Sequence, residues 1–201
     1  VGDIMYALVE SGNITKYFYS PKGFTLGDNQ YSADVFTKWT TSEREAIGLY
    51  EVIFDDSNKK DTTWYNNTSQ TFTYDAGAGT VTSAYGTATA KAHADVTVGD
   101  VTTPGLKTNL IEKIKKQVNN NLAKTDWYVT RKSEKTTAIP SSISTHRDAV
   151  RTKQASMETA ITNATDTAAL ETLYTYVNTG TEESPVYERP IGELPELELE
   201  S

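Results

Sequence analysis

The chain of 201 residues contains no cysteine, which excludes disulfide bridges, thiolate metal ligands and a cysteine nucleophile. Its two histidines, His93 and His146, lie outside any motif that positions a catalytic serine and its base. No run approaches the roughly 18 consecutive apolar residues of a membrane-spanning helix, and the first residues lack the basic and apolar pattern of a signal peptide. We therefore expect a soluble, non-enzymatic protein that needs no cofactor, contacts no membrane and is made in a cytoplasm.

Large apolar side chains are also scarce. Hydrophobic residues make up 37% of the chain, and the mean hydropathy is -0.52. These values are low for a domain that stabilises itself by its own core alone. We therefore expect the chain to bury further surface against other subunits and to form homo-oligomers.

Charge is unevenly distributed along the chain. The net charge of -8 argues against nucleic-acid binding, which depends on Lys and Arg to neutralise phosphates. Residues 181–201 hold seven glutamates and one arginine, whereas residues 106–135 hold seven lysines and one arginine against three acidic residues. Two interpretations remain open: the acidic segment docks on the basic segment of its own or a neighbouring chain, or both are solvated faces.

The first half of the sequence predicts hairpins. Met5 is a candidate initiator, so the predicted β-rich module begins there and extends to residue 89. Strand-forming segments flank Gly12 and Asn13, which accept positive φ at a hairpin tip, and a second pair flanks residues 75–79. The predicted strands are 6–10, 14–18, 69–74 and 80–89.

A short helix and a loop are predicted within the same module. Ser42 and Glu45 have the spacing of a capping box, and Gly48 suits a left-handed exit into a buried strand over 49–54. Residues 21–30 have the composition of a surface loop.

The second half predicts a linker over 90–105, a helical module over 106–180 and an extended acidic tail over 181–201. Three apolar stripes at helical spacing support two or three helices. Ser141 or Ser142 is expected to cap the second helix, and Asp166 or Thr165 the third. The stripes are Leu106, Leu110, Ile111, Ile114, Val118 and Leu122; Ile143, Val150, Met157 and Ile161; and Leu170, Leu173, Tyr174 and Val177. The predicted fold class is α+β.

Residues 126–150 read DWYVTRKSEKTTAIPSSISTHRDAV and join an aromatic-led segment, expected to be extended, to a helix that starts after a proline. They resemble the C-terminal module of small bacteriophage tail-fibre-associated and tail-assembly proteins, with the matching positions at Asp126, Trp127, His146, Arg147 and Val150. The segment KWTTSEREAIGLYEV over 38–52 extends the resemblance.

The resemblance implies a virion structural protein, tail- or fibre-associated, that works by contacts with other virion proteins. Two alternatives remain: a tail-assembly chaperone that leaves before the virion matures, and a glycan-binding adhesin module that meets the host surface. Expected localisation is the virion, after synthesis in the host bacterial cytoplasm.

Seven residues are candidates for partner binding, and none is expected to be catalytic. Trp127 either plugs its own helical bundle or anchors a partner, and tryptophan beside tyrosine and arginine is the usual mixture at an interface hot spot. We expect His146 to be exposed or at an interface, with Arg147 as its hydrogen-bonding neighbour. The candidates are Trp127, Tyr128, Arg131, His146, Arg147, Val150 and Met157.

Two further sites are considered and not predicted. Asp55, Asp56, Asn58 and Asp61 carry oxygen ligands, but the glycine and the bidentate glutamate of a calcium loop are missing, so a solvated turn is expected and no metal site. Aromatic residues around Trp64 and Tyr74 allow stacking on sugars, but cross-strand packing explains them better.

Overall fold

The computed structural model describes residues 5–197 and confirms a mixed α+β fold, rich in strands in the first half and in helices in the second. The chain divides into two compact units at the boundary between residues 89 and 90. Each unit is described by itself below.

The first unit is built on a five-stranded sheet in the order β2-β1-β5-β8-β7. Strands β5 and β8 are parallel, and the other neighbours are antiparallel. The rings of Tyr17 and Phe72, on the two edge strands, lie 4.8 Å apart, so the sheet is curled. The elements are β1 (Tyr6–Glu10), β2 (Asn13–Phe18), β3 (Phe24–Leu26), β4 (Asn29–Tyr31), α1 (Val35–Lys38), α2 (Thr41–Ala46), β5 (Leu49–Asp55), β6 (Tyr65–Asn66), β7 (Gln70–Asp75), β8 (Thr80–Tyr85) and β9 (Thr89–Ala90).

Both faces of this sheet are covered at β1. Successive side chains of a strand point to opposite faces, so β1 contributes alternate residues to two apolar clusters. The larger cluster holds Tyr6, Leu8, Phe18, Phe24, Val35, Phe36 and Leu49. The smaller cluster holds Met5, Ala7, Val9, Val52 and Val81.

The two hairpins predicted in this unit are confirmed, and their turns differ in detail. At the first tip the positive φ angles belong to Ser11 (51°) and Gly12 (80°), while Asn13 begins β2. The predicted loop over 21–30 instead contains the hairpin β3–β4, because Gly27 adopts positive φ in a two-residue turn and Phe24 is buried.

The short helix is confirmed, but its capping box lies two residues earlier than predicted. Thr40 is the N-cap: its hydroxyl accepts a hydrogen bond from Glu43 N (3.3 Å), and the Glu43 carboxylate accepts one from Thr40 N (2.7 Å). Gly48 has a φ of 79°, as predicted for the exit.

The second unit consists of helices with two small hairpins. Helix α3 packs on α5, and the predicted apolar stripe of α5 is buried along its whole length. The elements are β10 (Val96–Val98), β11 (Val101–Thr103), α3 (Leu106–Ala123), α4 (Asp126–Lys135), α5 (Ser141–Asn163), α6 (Thr167–Tyr174), β12 (Val177–Asn178) and β13 (Tyr187–Glu188).

Residues 90–105, expected to be a linker, contain the antiparallel hairpin β10–β11. The segment is held to the start of α3, since Asp95 Oδ1 accepts hydrogen bonds from Gly105 N (2.8 Å) and Thr108 Oγ1 (2.6 Å). These bonds hold the pKa of Asp95 below its ordinary value, with the Thr108 hydroxyl contributing most.

The aromatic-led segment predicted as extended is the helix α4. Asp126 in its first turn and Lys132 and Lys135 in its last turn match the helix dipole, which offsets the preference of its aromatic and β-branched residues for strands. Helix α5 begins after Pro140 without a side-chain cap from either predicted serine, whereas Asp166 caps α6 as predicted.

Helix α6 ends at Tyr174, so Val177 lies in a strand and not on the helix. The tail, expected to be extended throughout, pairs β13 with β12 and then folds back on the helices. Ile191 is buried, and its N–H donates to Leu173 O at 3.0 Å. The end of the predicted tail, residues 198–201, lies outside the described residues.

Candidate partner-binding surface

Helix α4 is unusual because none of its ten residues is buried, although it carries tryptophan, tyrosine and valine. Trp127 is 52% exposed. Its ring centroid lies 3.8 Å from that of Tyr128, and the Arg131 guanidinium carbon lies 4.6 Å and 5.2 Å from the two ring centroids. We call these three residues the α4 platform, in which two rings in contact, tilted by 32°, interact with a cation.

The buried side chain of Arg147 holds the first residue of α4. This side chain of α5 is only 9% exposed, and its Nη1 donates to Leu122 O (2.9 Å), Thr125 Oγ1 (2.7 Å) and Asp126 Oδ1 (2.9 Å). The three acceptors are in the last turn of α3, in the connection between the helices and at the first residue of α4. A charge-assisted bond is about twice as strong as a neutral one, so Arg147 sets the direction in which α4 leaves the bundle.

His146 joins three segments of the second unit. Its Nε2 lies 2.8 Å from Asn121 Oδ1 on α3, and Asn121 Nδ2 donates to Pro195 O in the tail at 3.0 Å. His146 was expected to be exposed or at an interface, with Arg147 as its partner. It is neither exposed nor bonded to Arg147: it is buried within its own unit and paired with Asn121. Arg147 bonds instead to Leu122, Thr125 and Asp126, so the two neighbouring side chains have different partners.

Val150 and Met157 are core residues of the bundle, with exposures of 0% and 3%. The Met157 side chain also reaches the floor of a groove beside the α4 platform. Of the seven candidates, three thus form the platform, in which Trp127 is exposed and Tyr128 and Arg131 are half-buried. Of the other four, Arg147 holds the start of α4, His146 bonds to α3, and two lie in the core. The interpretation of Trp127 as a plug of its own core does not fit its exposure.

The groove has a volume of about 1050 Å³ and combines helix residues with the tail. Residues 189–197 form its second wall and were not predicted as part of a site, although the opposite charges of residues 181–201 and 106–135 left docking of the tail open as one interpretation. The lining residues are Gln117, Asn121, Lys124, Thr125, Trp127, Tyr128, Met157, Arg189, Glu193, Leu194, Glu196 and Leu197.

Arg189 makes several contacts that hold residues 189–197, the second wall of the groove, in place. Its guanidinium lies between the rings of Tyr174 and Tyr176, with its central carbon 5.5 Å and 5.8 Å from their centroids, and pairs with Glu193. The hydrogen bond from Arg189 holds the pKa of Glu193 below its ordinary value, and Tyr176 contributes a further bond at 3.1 Å. The tail therefore docks through its own arginine and backbone, without an ion pair to the lysines of α3 or α4 among residues 5–197.

The other sites weighed from the sequence have different surroundings. Within residues 5–197 no three His, Cys, Asp or Glu side chains are grouped to hold a metal ion, and the Asp55 carboxylate accepts a turn hydrogen bond from Ser57 N (2.9 Å). Trp64 is buried, and the Tyr74 hydroxyl lies 3.1 Å from that of Tyr50, so the proposed sugar-stacking rings are occupied by the protein. No helix in the described part of the chain combines the length and the hydropathy needed to cross a bilayer.

No protein-family model, curated protein or solved structure matches this chain. Its function is therefore inferred from its own surface. The α4 platform is the feature that stands out, because Trp127 is exposed on a helix whose first residue is held by the buried Arg147.

Proposed function

We propose that the chain is a structural protein of a bacteriophage virion, associated with the tail or its fibres, that works by contacts with other virion proteins and with itself. The observation that carries the proposal is the exposed amphipathic helix α4. A ten-residue helix is marginal by itself in water, and helices of proteins gain most of their stability from packing an apolar face. A helix that exposes its tryptophan is best explained by a partner that covers it.

The residues of the phage-like segment support the same proposal. Asp126 and Arg147, which carry the resemblance to tail-associated proteins, form the ion pair at the start of α4 at 2.9 Å. Trp127 from the same segment is the exposed ring. Trp, Tyr and Arg, the three residue types of the α4 platform, are enriched among residues that dominate binding energy.

Mass spectrometry of purified particles of the phage that encodes the chain tests the proposal. We expect peptides of the chain in fixed stoichiometry with the other structural proteins. Trp127→Ala should leave the circular dichroism spectrum unchanged and reduce incorporation, while Tyr19→Ala, which removes a ring that is 76% exposed in the first unit, should change neither. Absence of the chain from infectious particles would refute the proposal.

A tail-assembly chaperone is the second candidate, and the groove favours it. An open cleft of about 1050 Å³, lined by polar residues together with apolar ones such as Met157, Leu194 and Leu197, suits an extended segment of a fibre protein that carries both kinds of side chain. The same particle analysis separates the two functions, because a chaperone leaves only trace peptides in the mature virion.

A further inference from the structure

The second unit exposes another apolar element besides α4. The hairpin β12–β13 has Val177 opposite Glu188 and Asn178 opposite Tyr187, and it continues by a bond from Thr179 N to Val186 O of 2.7 Å. Both of its faces are exposed, although an isolated two-stranded hairpin is marginally stable in water. Its exposed large side chains are Tyr176, Val177, Val186 and Tyr187.

This hairpin is acidic throughout. Residues 176–188 contain Glu182, Glu183 and Glu188 and no basic residue. All three carboxylates are on exposed residues, and none forms an ion pair with a residue in the range 5–197. The hairpin thus presents aromatic and aliphatic side chains with a negative rim.

The surface around α4 has the opposite charge. Residues 124–135 contain Lys124, Arg131, Lys132 and Lys135 against two acidic residues, of which Asp126 is already paired with Arg147. Within the described residues, no carboxylate lies at ion-pair distance from the three lysines. The platform therefore presents a pair of close aromatic rings, and the basic residues of 124–135 give its own helix a positive rim in a protein whose net charge is -8.

The two surfaces do not cover each other within one chain, since Trp127 is 52% and Tyr187 is 63% exposed. We propose that the β12–β13 hairpin of one copy docks on the α4 platform of a second copy. Aromatic and aliphatic side chains then form the centre of the interface, and glutamates face lysines at its rim. Because the two patches differ, the contact is head-to-tail and each copy keeps one free patch for the next.

The docking contact specifies how one copy of the chain binds another. It rests on the self-association that forms part of the proposed function. It does not depend on which particle holds the protein. A head-to-tail contact closes into a ring or continues as a fibre, and both forms occur in repetitive assemblies. The hairpin β10–β11 also exposes Val98 and Val101, but its turn carries a single charge, Asp100, so it provides a control surface with apolar residues and no charged rim.

Sedimentation velocity on the full chain with two complementary variants tests the docking. The platform variant is Trp127→Ala with Lys132→Glu, and the hairpin variant is Tyr187→Ala with Glu183→Lys. Each alone should weaken self-association at least about 30-fold, the loss expected from a central anchor worth about 2 kcal/mol. Mixed in equal amounts, they should form mainly a 1:1 dimer, because one pair of patches is intact and the other pair has lost both of its aromatic anchors.

The charge reversals alone provide a test that leaves the rings in place. Lys132→Glu and Glu183→Lys should each weaken assembly of the wild-type sequence, and the double variant should recover part of the loss. The matched control, Val98→Ser with Val101→Ser, should assemble like the wild type.

Three results would overturn the docking: a wild-type chain that stays monomeric at high micromolar concentration, assembly unchanged in both complementary variants, or loss of assembly only in the β10–β11 control. If assembly fails while particles still contain the chain, the virion proposal survives without this contact. If assembly behaves as expected and particles lack the chain, the docking survives alone.

Discussion

The buried arginine beneath α4 offers the most informative perturbation of the structure. Arg147→Ala removes three hydrogen bonds from one guanidinium group, to Leu122 O, Thr125 Oγ1 and Asp126 Oδ1. The three acceptors differ in what they lose. The Asp126 side chain is 61% exposed and regains water, so its ion pair contributes less than about 1 kcal/mol.

The two buried acceptors decide the magnitude. Leu122 O keeps the bonds from Thr125 N and Thr125 Oγ1, both at 3.0 Å, whereas the Thr125 hydroxyl, 1% exposed, loses its only charged donor. With the lost packing of the arginine stem, we expect the free energy of unfolding to fall by about 2–3 kcal/mol. For a unit of roughly 100 residues this lowers Tm by roughly 10 °C.

Arg151→Ala is the matched control, because Arg151 lies one turn further along α5 and is half exposed. Its contact with Asp148 at 3.4 Å is a surface pair, so we expect a change within about 0.5 kcal/mol. Thermal unfolding followed by circular dichroism gives the comparison, and hydrogen exchange should show α4 losing protection first. Equal effects of the two variants, or unchanged exchange in α4, would refute the role assigned to Arg147.

Three further outcomes are expected. Gly48→Ala should cost at least about 2 kcal/mol in thermal unfolding, because a φ of 79° places the new Cβ 2.3 Å from a carbonyl oxygen of β1, whereas Gly12→Ala, in open space, should cost about 1 kcal/mol. The hydrogen bond with Tyr74 raises the pKa of Tyr50 to about 12. The neutral form of Tyr50 thus contributes stability to the fold below pH 10, and this contribution is lost as the pH rises from about 10 to 12. Tyr74→Phe should lower the pKa of Tyr50 in an absorbance titration. Ile191→Ala should cost about 2–5 kcal/mol and speed cleavage of the tail by a glutamyl endopeptidase.

The core of the helical unit was predictable from the sequence because its signal is local. Ile143, Val150, Met157 and Ile161 recur at spacings that place them on one side of a helix, and all four are buried. The same holds for the hairpins of the first unit, where turn residues separate alternating strands. Burial at these positions follows from periodicity, without knowledge of which element lies opposite.

Contacts between distant residues were not predictable in this way. The partner of His146 is 25 positions away, as is that of Arg147 at Leu122, so neither pairing leaves a pattern in neighbouring residues. The wall of the groove formed by the tail also depends on a contact between distant residues, because Asn121 bonds to Pro195 across 74 positions. The sequence pointed to the charged tail and to the platform residues, but not to the contacts that hold the tail and α4 to the other helices.

The difference between Trp127 and the core residues explains why a site of this kind is ambiguous in a sequence. A tryptophan at the start of an amphipathic helix serves equally well in a core or at an interface, since both environments reward the same apolar area. What separates the two is the direction of the helix. Here that direction is set by Arg147. Burying its charge costs free energy, whereas burying an apolar side chain of similar size does not. A buried cation that only holds an exposed helix in place is hard to explain by stability alone, and it favours an interface at α4.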